Sequence, residues 1–251
     1  MARIAGGPQS IVDALANQLL PDQVEFEHRL TGIERANDGF KLTFNSDPSS
    51  IAVAHKVIFA APLRLLCEQV AWNGILDEQM RALMLQTSTW MAVQAKAVIG
   101  YETTFWKKMG LSGRVASQLG PLVEIHDHTS HGEAHPALFG FVGLPAGQRD
   151  ADDLKLAIVE QLVRCFGIKA SKPTHITIKD WAHDDSICSQ ADLSSPVEHP
   201  TPRPDGTRRA FCDNGIAFAV AETALHHPGL IDGALESGER AARLMLESLG
   251  A

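Results

Sequence analysis

The chain has 251 residues, 45% hydrophobic and 21% charged, with a net charge of −8, an ordinary globular balance that allows one large domain or two modest ones. Its basic residues are scattered, which excludes a phosphate-neutralising nucleic-acid surface. No apolar run approaches the roughly 18 residues of a membrane-spanning helix. The opening MARIAGGPQS has no apolar core of a secretory signal, so a cytoplasmic protein is the expectation.

In chain order, SIVDALANQL (10–19) spaces its apolar residues as a helix. VEFEHRLTGIER and GFKLTFN alternate as strands around a hairpin turn at Asn37-Asp38-Gly39. HKVIFAAP is a continuous apolar run ending at a proline, the pattern of a strand buried on both faces. LRLLCEQV and LDEQMRALMLQ read as short helices, and MAVQAKAVIGY as a long strand. GRVASQLGPLVEIHDH and HPALFGFVGL follow as antiparallel strands. Residues 150–167 form the clearest helix, with an acidic first turn, Arg164 in the last turn and Gly167 as its stop. THITIKDW is a strand, 193–209 a Ser/Pro/charge-rich loop, GIAFAVAET a strand, and the chain ends in a long helix. This order predicts a mixed α/β fold with an antiparallel sheet in its middle third.

Four cysteines, Cys67, Cys165, Cys188 and Cys212, lie far apart without a C-x-x-C pair, as core thiols do. HDHTSHGEAH brings His126, Asp127, His128, His131, Glu133 and His135 together, a donor set that suits zinc. Its Gly, Ser and Thr content favours a surface loop. In ETALHHPGLIDGALESGERAARLM (222–245), Gly229 and Gly233 permit close backbone approach, and a helix starts near Pro228 to Leu230. Ile231 and Asp232 supply first-turn N–H groups. Ala234, Leu235, Ala241, Ala242, Leu244 and Met245 suggest its packing face, and Glu236, Glu239 and Arg240 its wet one.

Seven stretches resemble, in order, the C-terminal portion of the flavin-containing amine oxidases, a family that includes monoamine, polyamine and L-amino-acid oxidases. They are RIAGGPQSIVDALANQL, VEFEHRLTGIE, KVIFAAP, AVQAKAVIGYETTFWKK, LFGFVG, IKDWAHDD and the final helix. The resemblance implies a partial FAD-binding dinucleotide fold in residues 1–85 and 184–251, with a substrate-domain sheet and helices in 86–183. It implies hydride transfer from a C–N bond of an amine or amino acid to FAD. Lys96 then lies near the flavin N5, Trp181 beside the ring, and the strand around Leu30 against the adenine. Glu222, Thr223, Gly229, Leu230 and Ile231 form the entry to the flavin-facing helix, whose dipole complements the reduced ring. His226 and His227 lie at that entry, as turn residues before substrate contacts.

Several positions depart from the family pattern. The strand–GxGxxG–helix unit that binds the dinucleotide is absent from the 251 residues. Val220 stands where the family has a glycine, and a Cβ there threatens close cofactor approach. Leu230 and Ala191 occupy the positions of an aromatic sandwich, while Tyr101, the one tyrosine, lies elsewhere. No cysteine aligns with a covalent flavin attachment site, Cys188 being two residues away, so FAD is expected to be non-covalent. Two expectations follow. One is a flavoenzyme subunit whose FAD is shared with a partner chain carrying GxGxxG, since MARIAGG resembles an internal boundary of the family. Such a chain exposes an unpaired sheet edge and a large apolar face. The alternative is a non-catalytic remnant or interaction module that has lost FAD.

Overall fold

The computed structural model describes residues 4–45, 50–194, 198–202, 212–213 and 215–249. Helix α1 (Gln9–Ala16) carries no buried residue. Strands β1 (Leu30–Ala36) and β2 (Gly39–Phe44) form the expected antiparallel hairpin about Asn37-Asp38. A third strand, β3 (Ile51–Ala54), which the sequence reading did not name, pairs with β2. The first strand is shorter than its alternation suggested. Residues 24–29 lie outside any strand, and Phe26 is 81% exposed.

Next come β4 (Val57–Phe59), α2 (Leu63–Gln69) and α3 (Glu78–Gln86). Strand β5 (Ala95–Gly100) leads into α4 (Phe105–Lys108), β6 (Val115–Ala116), β7 (Leu122–Asp127) and β8 (Ala137–Val142). Helix α5 (Ala151–Phe166) has Asp150 as its N-cap, accepting the N–H groups of Asp152 and Asp153, and stops at Gly167. Then follow β9 (His175–Asp180), α6 (Gln190–Ser194), β10 (Cys212–Asp213), β11 (Ile216–Phe218) and α7 (Ile231–Glu247). Helix α6 overlaps the start of the predicted 193–209 loop. Within that loop, residues 195–197 and 203–209 fall outside the described residues.

Strands β6 to β9 with β5 make an antiparallel sheet in the order β6-β7-β8-β5-β9. One face of it is dry. Ala95, Ala97, Ile99, Leu122, Ile125 and Leu138 point into a core with Leu154, Ile158 and Leu162 of α5 and with Trp106. Each of the larger aliphatic side chains contributes about 1.5–3 kcal/mol on burial.

A second core joins both ends of the chain. Ile33, Phe40, Phe59, Leu63, Trp72 and Met84 pack with Ile216, Phe218 and Val220, and the Phe59 and Phe218 rings stack at 5.5 Å. Strand β4 pairs in parallel with β11, which pairs on its other side with β10. β4 is therefore an edge strand of the described sheet. Phe59 is buried, but Ile58 is 43% exposed, so the expected burial on both faces holds on one only. No described element covers the other.

Helix α7 packs by a stripe that shares only Ala241 and Met245 with the face read in the sequence. Gly233, Ser237, Ala241 and Met245, four residues apart, are its buried positions, while Ala234, Leu235 and Ala242 are exposed. Small side chains let the helix lie close to Ala217 of β11. Arg240, assigned to the wet face, donates to the Phe218 carbonyl and to Thr223 Oγ1 instead.

A buried ion pair ties these parts together. Arg64 Nη1 donates to Asp192 Oδ1 at 2.8 Å, and the two side chains are 8% and 0% exposed. Arg64 Nε also donates to the Leu85 carbonyl. Asp192 further accepts the N–H groups of Thr89 and Ser189 and the Ser189 hydroxyl. Removing one partner strands the other charge, so Arg64→Ala lowers the unfolding free energy by about 3–5 kcal/mol in urea titrations. A loss within the ±0.5 kcal/mol of a surface substitution refutes that role.

Candidate functional site

The second face of the five-stranded sheet is open, and the strand register defines what lies on it. Lys96 pairs across strands with Phe141 on one side and Lys179 on the other, and Phe141 pairs with Glu124. One row thus reads Glu124, Phe141, Lys96, Lys179, since directly opposed residues share a face. The next row holds His126, Phe139, Val98 and Thr177. The Phe139 and Phe141 rings meet edge to face at 4.9 Å.

Lys96 and Trp181, candidates from the sequence, both belong to this region. The Lys96 ammonium lies 5.4 Å from the centroid of the Phe141 ring and makes no ion pair with a described residue. Its charge is half-buried, and that desolvation lowers its pKa from the ordinary 10.5. Trp181 follows β9 in a short 3-10 turn, anchored by its N–H to the Gln94 carbonyl. Lys179 sits 4.5 Å over the indole and bonds Asp184 at 2.7 Å. Like charges facing each other across strands repel. Here the two lysines separate, one over Phe141 and the other over Trp181.

The remaining candidates gather at the entry to α7. Leu230 is its N-cap residue and gives no side-chain cap, which leaves the first-turn N–H groups without that partner. Leu230 and Ile231 are both exposed. Gly229 has φ +76°, and a Cβ there would lie 2.6 Å from Pro200 Cγ and 3.1 Å from Trp90 Cδ1. A Cβ on Gly233 would lie 2.5 Å from the His227 carbonyl oxygen. The close approach at both glycines is therefore made by the chain's own loop. Glu222 accepts the Trp90 N–H at 3.0 Å, and Thr223 is fully buried, donating to the Val220 carbonyl. Val220 points into the second core, so its branch is accommodated inside the protein.

His226 and His227 build the same entry. Glu236 accepts the N–H groups of Leu225 and His226, which hold its carboxyl below the usual range against the opposing effect of burial. His227, at φ 48°, pairs with Asp232 at 2.7 Å. Trp90 links this entry to the sheet, because its N–H meets Glu222, its ring abuts Gly229, and β5 begins five positions later. Leu30 stands apart, in a cleft of about 500 Å³ with Ala61, Leu66 and Gln69 that none of the other candidates lines.

Ala191, one of the two sandwich positions, lies in α6 with its N–H donated to Glu68. In the histidine-rich stretch, no group of three or more donors among the described residues is arranged to hold a metal. His126 belongs to β7 and pairs with Glu124, and the His126 and His128 rings lean on Phe139. His126 lies on the strand, while His128, His131 and His135 are exposed in the connection between β7 and β8, as the surface-loop reading expects. The sequence reading did not single out Glu124, Phe141 or Lys179. The alternation of FGFV and TIKD carried the signal for the last two, but a register irregularity between Leu122 and Glu124 hides the first.

Because burial favours the neutral amine of Lys96, the native state binds fewer protons there than the unfolded chain. Stability therefore rises with pH between the lowered native value and 10.5. In an NMR titration of its side chain, Lys96 loses its proton below the ordinary lysine value of 10.5. A midpoint at or above that value contradicts the burial effect.

A family profile described as "Flavin containing amine oxidoreductase" matches residues 1–246. The chain is 26% identical to a putrescine oxidase of Kocuria rosea, over 97% of this chain and 52% of that protein. It is 25% identical to the flavin-containing amine oxidase B of Canis lupus familiaris, over 99% and 48%. Among solved structures, putrescine oxidase bound to putrescine superposes with a TM-score of 0.76 at 21% identity, over 97% of this chain and 54% of that one. Cyclohexylamine oxidase from Brevibacterium oxydans does so at 0.78 and 19%, over 98% and 53%. The chain thus spans about half the length of the relatives it matches. With the match running over nearly all its residues, the chain belongs to the flavin-containing amine oxidoreductase family.

Proposed function

We propose that this chain is the substrate-sheet and flavin-capping part of an FAD-dependent amine oxidoreductase. A second chain carrying the strand–GxGxxG–helix unit completes it, and the two share non-covalent FAD. Bound FAD would supply the hydride acceptor for oxidation of a C–N bond. The residues present suit the ring of that cofactor. The uncapped first turn of α7 offers N–H groups and the positive end of its dipole to a ring that gains negative charge on reduction. Lys96 and Trp181 lie on the open sheet face, and Leu30 lines a separate cleft on the side assigned to the adenine. Nothing in the chain provides the glycine-rich turn that cradles a diphosphate. Residues 1–85 and 184–251 constitute this chain's share of the FAD domain, and 86–183 the substrate domain.

The observations that support the partner reading are a set of uncovered apolar side chains and, elsewhere in the fold, an open parallel edge. Val12, Leu15, Leu19, Leu20 and Phe26 are all exposed, and β4 has no described neighbour on its outer edge. Parallel strands are normally covered on both faces and flanked by further strands. The non-catalytic reading draws on Glu222, Thr223 and Gly229, whose side chains or backbone space are taken by contacts within the chain.

Co-expression with a polypeptide bearing the GxGxxG unit tests the proposal. The expected product is a yellow stoichiometric complex whose flavin absorbance is bleached by an amine under anaerobic conditions. A stable complex without flavin bands, or a well-behaved monomer that ignores the second chain, would favour the non-catalytic module.

A further inference from the structure

Arg149 stands one position before Asp150, the N-cap of α5, and its side chain is 5% exposed. Its Nε donates to the Leu144 carbonyl at 2.7 Å, Nη1 to Asp180 Oδ1 at 2.8 Å and Nη2 to the Val93 carbonyl at 3.0 Å. Those acceptors belong to three neighbouring strands at one end of the five-stranded sheet. Leu144 follows β8, Val93 precedes β5, and Asp180 closes β9. Ala95 lies opposite both Val142 and Asp180, the last rung of both strand pairings. Strand ends fray unless further contacts hold them. A planar guanidinium, with its donors in a fixed fork, binds three such acceptors at once.

Alternation decides from which side this clamp acts. Ala95 is wholly buried on the dry face, and Asp180, directly opposite, shares that face. Lys96 and Trp181 each come one residue later and turn to the open face. Trp181 extends the same ladder through its N–H to the Gln94 carbonyl at 3.0 Å. Asp180 Oδ1 also accepts the Ala182 N–H at 3.1 Å, and Oδ2 lies 3.3 Å from the His183 ring. The carboxylate that binds Arg149 thus also shapes the turn that presents the indole.

We propose that Arg149 is a positioning residue for the pair Lys96 and Trp181. It grips the sheet from the dry face and holds β5 to β9 where they present that pair. The role rests on the reading of Lys96 and Trp181 as the flavin-side residues. Side chains that flank a reacting ring must be held to about 0.5 Å, and the regular ladder ends at Ala95.

The 251-residue chain tests this by NMR, with Arg149→Lys keeping the charge and losing the fork. The Trp181 indole cross-peak is expected to shift and broaden, and the Lys96 titration midpoint to return toward 10.5. The Trp72 and Trp106 indoles, buried in the two cores, stay in place. Should Arg149→Lys fail to fold, Asp180→Asn keeps an oxygen for the Ala182 N–H, removes the charge partner and predicts the same split. A lower urea midpoint with Trp181 and Lys96 signals unchanged, or equal changes at all three indoles, overturns the proposal. In the complex with the GxGxxG chain, Arg149→Lys keeps the flavin stoichiometry and alters the visible circular dichroism of the bound ring. A yellow complex with unaltered dichroism overturns the positioning role alone. A colourless wild-type complex overturns the flavin reading, and with it the role toward the ring, whatever the indoles show.

Discussion

The short connection from Thr87 to Met91 is held by two carboxylates that arrive from the far end of the chain. Asp192 accepts the Thr89 N–H while paired with Arg64, and Glu222 accepts the Trp90 N–H. A buried aspartate costs several kcal/mol unless its lone pairs are filled, and here Arg64, Thr89 and Ser189 fill them. That arrangement fixes α2, the end of α3, the approach to β5 and α6 relative to one another. Met91 sits in the same connection with a φ of 64°, a conformation that non-glycine residues keep only when their surroundings impose it. The position of the Lys96 strand against the α7 entry thus depends on contacts made before β5 starts.

From that fixed start, β5 works by alternation. Ala95, Ala97 and Ile99 face α5 and are wholly buried, whereas Lys96 and Val98 face outward. A strand with one dry side and one open side keeps its register strongly, because a one-residue slip would drive Lys96 into the core. The open face that carries Lys96 is therefore as firmly set as the core behind it. Side chains on strands inherit this rigidity, which loops do not offer.

Legibility in the sequence followed how locally each feature is encoded. The β1–β2 hairpin, α5 with Asp150 and Gly167, and the strands at 95–100 and 137–142 carry their own turn chemistry or periodicity, and all appear in the structure. The α7 face was read only in part, at Ala241 and Met245, because its contact stripe also uses Gly233 and Ser237, residues that hydrophobic patterning does not register. Strand β4 reads as doubly buried because its sequence suits a layer that no described element supplies. The site candidates Lys96 and Trp181 rested on family resemblance. Glu124 and Lys179 required the cross-strand register, which no single segment states.

The parallel pairing of β4 with β11 also sets a temporal order. Val57 meets Ile216 and Phe59 meets Phe218, so the second core lacks Ile216, Phe218 and Val220 until some 150 residues beyond Phe59 have been synthesised. The five-stranded sheet and α5 use a continuous stretch, from Ala95 to Asp180, and local contacts close faster than distant ones. The nascent chain therefore passes through a stage with a finished central sheet flanked by an unclosed second core. During that interval the aromatic pair Phe59 and Trp72 lacks the third ring of its cluster, Phe218.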